Sequence, residues 1–159
     1  MKLNRKHVFA ATVGGVVIAM LGPAALGSPP SGFTPTNLVK ADLDKRVHLN
    51  SDRVKFRTKH PTDVLVQKIV TDAGGSSGWH HHPGMVIVAI QSGTLTVWDS
   101  NCNQKTYGPG LPKGSVFVES GDEPGLVTST GGATSYATFV APSADPPVFR
   151  IEDDLPPCA

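Results

Sequence analysis

Beyond residue 35, apolar and polar residues alternate in short runs, and turn formers break the alternation about every ten positions. Ten such runs read as strands: 36–41, 46–49, 54–58, 64–71, 85–91, 94–98, 105–107, 115–119, 126–130 and 135–140. Each is rich in Val, Ile, Thr or aromatic residues, which suit a pleated, half-buried surface. No window of a dozen residues there keeps a 3.6-residue apolar period, so helices should be nearly absent. The pattern predicts an all-β barrel or sandwich, with Gly and Pro placed in turns. Ser92-Gly93 lies between two apolar runs and reads as a hairpin loop, and Pro112–Ser115 reads as a second turn. Gly74–Gly78 reads as a loop, because no helix follows it to hold an anion at an N-terminus. Lys55, Arg57 and Lys59 alternate with Val54, Phe56 and Thr58, the period-2 signature of one solvated strand face.

The first 27 residues carry a different pattern. Lys2, Arg5, Lys6 and His7 precede an apolar stretch from Val8 to Leu21, and Ala25-Leu26-Gly27 supplies small residues for cleavage. This reads as a secretory signal peptide over 1–27, the rival being an uncleaved anchor reaching Leu26. No cysteine near the cleavage site offers a lipid attachment. Pro-, Gly- and Ser-rich residues 28–35 read as a flexible linker, 36–142 as one barrel domain, and 143–159 as a Pro-rich tail. Once cleaved, the chain would hold no stable membrane span.

Charge excludes one class of partner. The whole chain has a formal net charge of +1, but without Lys2, Arg5 and Lys6 its 11 basic residues face 13 acidic ones. Nothing in that balance recruits nucleic acid. The two cysteines, Cys102 and Cys158, are an even pair in a chain read as exported, which argues for one disulfide fastening the tail to the turn after Asp99. The competing reading, two reactive thiols, lacks a CxxC or an adjacent histidine.

Candidate chemistry centres on His80-His81-His82. On a strand, residues two apart share a face, so His80 and His82 project together while Trp79 and His81 point the other way. Such a pair either chelates a cation or makes ordinary hydrogen bonds at a strand end. No nucleophile elbow, HExxH or Cys–His pair is present. Trp79, Trp98 and Tyr107 read as packing residues.

The spacing Gly74, five residues, His80, one, His82, three, Val86, six, Gly93 resembles the first cupin motif, G(X)5HXH(X)3-4E(X)6G, at every position but the glutamate. Residues 112–125, "PKGSVFVESGDEPG", loosely resemble the second motif, starting at Gly114. The resemblance implies a single-domain jelly-roll barrel of the small secreted bacterial kind, spanning roughly 36–142. It also implies a divalent ion held by the two motif histidines, a glutamate and a second-motif histidine. Only His80 and His82 carry over: Val86 stands in place of the glutamate, and His82 is the chain's last histidine. Asp122 or Glu123 would have to supply an oxygen by folding inward. Two histidines alone make a weak site for Fe, Mn, Zn or Ni, which are not distinguishable from these donors.

Three functions follow as expectations. The first is an exported cupin that binds a small molecule in its barrel, with Val86 and Val88 in the pocket and His80 and His82 as polar contacts or ligands of a weakly held metal. The second is a metal-dependent enzyme of oxygenase or isomerase type. The third is a non-catalytic interaction module, with homodimerisation compatible with the fold.

Overall fold

The computed structural model describes residues 29–156 and 158, none of which lies in a helix. The expected signal peptide lies outside the described residues. Twelve strands form in chain order: β1 Ser31–Leu43, β2 His48–Asn50, β3 Lys55–Arg57, β4 Thr62–Ser76, β5 His80–His81, β6 Met85–Gly93, β7 Leu95–Asp99, β8 Gln104–Tyr107, β9 Val116–Glu119, β10 Gly125–Ser129, β11 Ala133–Pro142 and β12 Ile151–Glu152. All ten expected strands are present. The two additional ones, β5 and β12, have two residues each, too few to show any alternation.

Antiparallel pairing arranges them in two facing layers. One runs β1-β4-β11-β6-β9 and the other β8-β7-β10-β5-β12. The far end of β4 joins the layers, Gly75 and Ser76 pairing with Ser129 and Thr128 of β10. The result is a nearly closed jelly-roll barrel, with β2 and β3 as a separate hairpin.

Alternation sets the interior. On β6, Val86, Val88 and Ile90 are buried while Ile87 and Ala89 are exposed; on β11, Ala133, Ser135, Ala137, Phe139 and Ala141 face inward. With Leu65, Ile69, Leu95, Phe117 and Val127, the buried β6 residues and Ala133, Ala137 and Phe139 form one core, and each fully buried large side chain contributes about 1.5–3 kcal/mol.

Three expectations are corrected. Residues 31–35 are not linker but the start of β1, where Phe33 and Pro35 pair with Thr71 and Ile69 and Phe33 packs against the core. Proline is accommodated because β1 lies at a sheet edge, where one row of donors has no partner strand. Gly74 and Gly75 continue β4 rather than forming a loop: a Cβ on Gly75 would meet the Gly32 carbonyl oxygen at 2.5 Å, so only glycine lets the two strands approach. Ser92-Gly93 does not close a hairpin. β6 pairs with β11 and β9 while β7 pairs with β10 and β8, so this turn carries the chain from one sheet to the other, with Gly93 at φ 75° against the Gly132 carbonyl.

The tail is part of the folded body. Cys102 and Cys158 are joined in a disulfide, and β12 pairs with β5, Glu152 opposite His80 and Ile151 opposite His81.

Candidate metal centre

His80 and His82 project together into the barrel and are both buried, their ring centroids 4.8 Å apart and nearly perpendicular. Each is oriented through Nδ1. His80 donates to the Gly78 carbonyl at 2.9 Å, and His82 donates to the Phe149 carbonyl at 2.6 Å. A carbonyl only accepts, so Nδ1 carries the proton in both rings and Nε2 of a neutral ring presents a lone pair. A backbone carbonyl holding the far nitrogen is the arrangement that fixes metal-binding histidines.

The third donor is Glu119, at the end of β9. Its Oε2 lies 3.3 Å from His82 Nε2, which is buried and without an aligned hydrogen-bond partner. Two acceptors facing each other at that distance repel unless a proton or a cation lies between them. One donor atom from each of His80, His82 and Glu119 lies within 4.8 Å of the others. Burial, reinforced by the Arg150 charge and partly opposed by Glu119, lowers the His80 pKa to about 4, so this ring is neutral at physiological pH and available as a ligand.

Glu119 stands opposite Val86 in the β6–β9 ladder. Directly opposed residues on antiparallel strands share a face. The carboxylate therefore enters the barrel on the face that Val86 occupies, one strand over. Asp122 and Glu123 are not brought to the histidines. Both are exposed in the β9–β10 turn, where the Asp122 N–H donates to the His82 carbonyl and Glu123 accepts from Ser120 Oγ. Asp122 holds φ 68°, which aspartate tolerates in a turn. His81 points away from the site and bonds the Asp153 carboxylate at 2.9 Å. Trp79 is buried on that side too, donating through Nε1 to the Pro156 carbonyl.

The three donors lie at the polar end of a cavity of about 100 Å³. Its apolar wall includes Ile69, Val86, Val88, Leu95, Phe117 and Phe139. His82 and Glu119 also border a larger, more polar groove of about 270 Å³ beside β7 and β8. A jelly roll with two histidines, two residues apart, converging on an inward carboxylate defines the architecture. The barrel has the cupin fold.

No family model matches the sequence, and no curated protein matches it. Several solved structures are similar in shape. A cupin superfamily protein from Desulfitobacterium hafniense shares 12% identity at a TM-score of 0.48, covering 82% of this chain and 99% of its own. A conserved Streptococcus pyogenes protein of unknown function shares 17% at 0.49, over 70% and 76% of the two chains. A cupin 2 conserved barrel domain protein from Leptotrichia buccalis shares 15% at 0.47, over 68% and 40%. This cupin barrel differs from the motif in sequence by placing its carboxylate on β9 rather than on β6.

Proposed function

We propose that this protein is an exported cupin that binds a divalent metal through His80, His82 and Glu119 and takes a small molecule into the adjoining cavity. The observation carrying the reading is the buried His82 Nε2, without an aligned hydrogen-bond partner and facing the Glu119 carboxylate, with His80 beside it. Two imidazoles and one carboxylate are the donors of the open three-ligand sites that bind Fe, Mn, Zn or Ni. A bound ion would supply a Lewis acid with coordination positions left for a ligand oxygen. The chain's own residues do the rest. The Gly78 and Phe149 carbonyls orient the imidazoles, and the aromatic and aliphatic wall offers apolar surface to a ligand's hydrocarbon. A third donor favours the metal-dependent enzyme as a second reading, because a three-ligand site leaves room for substrate on the ion. Export is supported by the Cys102–Cys158 disulfide and by the charged-then-apolar start of the sequence.

Metal analysis of untagged protein, metal-depleted and then titrated with zinc, tests the reading. One equivalent is expected to bind, with His80→Ala, His82→Ala and Glu119→Ala each losing it and Glu123→Gln retaining it. Absence of stoichiometric binding, or binding that survives all three alanine variants, would sink the proposal. For export, the mass of the N-terminus after secretion should correspond to cleavage following Gly27.

A further inference from the structure

The cavity wall holds one permanent cation that the metal centre does not use. Among the described residues lining the cavity, Arg150 is the only Lys or Arg. It belongs to the tail, next to the Phe149 whose carbonyl orients His82, and it is half-buried. Its Nε and Nη2 donate to the two carboxylate oxygens of Glu152 at 2.6 and 2.8 Å, and Nη2 also donates to the Ser77 carbonyl. Neither hydrogen of Nη1 has an acceptor among the described residues. Glu152 and the Ser77 carbonyl hold Nε and Nη2 in place and leave the two Nη1 hydrogens for an anion, so little ordering of the guanidinium remains on binding.

The surroundings select what that anion carries. Apart from Arg150, the donor triad, Gln67 and Ser135, the wall is apolar. Gln67 is engaged with Asn37 through its amide nitrogen. If the metal reading holds, a divalent ion together with Glu119 and the Arg150–Glu152 pair leaves one unit of positive charge around the cavity, which one anionic group neutralises. We infer that the cavity takes a small monocarboxylic acid with an apolar body, its carboxylate on Arg150 and its hydrocarbon among Ile69, Leu95, Phe117 and Phe139. The inference rests on the proposed function only for the charge count; the guanidinium and the apolar wall stand without it.

Butanoate and benzoate, each paired with its amide, serve as probes, titrated by NMR into both metal-free and zinc-loaded protein. The acids are expected to bind about tenfold more tightly than the amides, the discrimination of a charge-assisted pair over a neutral one. Arg150→Gln should abolish that preference while leaving amide affinity and zinc content unchanged. Glu152→Gln should act in the opposite direction and strengthen acid binding, because it removes the internal competitor for the guanidinium. A merely structural ion pair would respond alike to both substitutions, so weakened acid binding in Glu152→Gln would overturn the inference. Equal binding of acid and amide, or of neither, would do the same. Failure of zinc to bind alongside a persistent acid preference in metal-free protein would reject the metal centre and leave the carboxylate site standing.

Discussion

The two sheets enclose the same cavity but are held by different means. In β1-β4-β11-β6-β9 the backbone ladder is long: β11 and β4 pair over ten consecutive residues, Ala133 with Thr71 through Pro142 with Thr62. In β8-β7-β10-β5-β12 the histidine strand is two residues long and meets β10 at a single pair, Gly125 with His80. Contacts from a remote part of the chain compensate. Phe149 holds His82, Asp153 holds His81 and also donates its N–H to the Trp79 carbonyl, Pro156 holds Trp79, and the disulfide fastens the end. The regular sheet positions Glu119 by register, whereas in the short one the His82 ring is held by a remote tether and the His80 ring by the nearby Gly78 carbonyl, with the tail strand β12 pairing alongside. A strand too short for its own ladder can still carry a precise site if its side chains are fixed from outside.

Substitutions on each side should therefore fail differently. Phe139→Ala empties the centre of the regular sheet and should cost about 3–5 kcal/mol of global stability, read as a lower urea midpoint with an unchanged slope. A loss below 1 kcal/mol would show that the core is not shared as described. Removing the tether, with Cys102→Ser and Cys158→Ser together, releases a loop closed across 56 positions and should cost about 4 kcal/mol in the chain-entropy limit. Unlike Phe139→Ala, it should also raise amide exchange selectively in 149–156 and weaken zinc binding by about tenfold, through the loosened His82 partner. Uniform exchange with unchanged zinc affinity would erase the distinction between the sheets.

The register argument is sharpened by moving the carboxylate. Glu119→Val should lose zinc, and adding Val86→Glu should restore about tenfold in affinity, since the two positions face the barrel side by side. No recovery in a folded double variant would show that sharing a face is insufficient. The smallest effect is expected from Asp153→Asn, which weakens a part-buried bond to His81 but leaves an acceptor oxygen in place, and should cost about 1 kcal/mol, with zinc content unchanged.

Alternation made the strands legible in the sequence but not their partners. Ser92-Gly93 has the composition of a hairpin loop, yet whether the next strand returns to the same sheet depends on packing beyond any local window. His80 and His82 were readable because a spacing of two on a strand guarantees a common face. Glu119 was hidden by its own strand. In Val116-Phe117-Val118-Glu119 two valines alternate with a phenylalanine and a glutamate, and hydrophobicity alone turns the valines inward. The structure does the reverse, with Val116 and Val118 half or more exposed and Phe117 buried. A one-residue change of phase flips every side chain on a strand. Placing the phenylalanine inward would have drawn Glu119 in with it.

The pairing of Val86 with Glu119 bears on how such a centre can change over time. A ligand need not persist at its position while a replacement is found elsewhere, since the neighbouring strand offers a second address on the same interior face. An intermediate with glutamate at both positions would keep a donor throughout, and either one could then be lost. A coordination set can thus drift sideways across a sheet while a pattern written along one strand records only a departure.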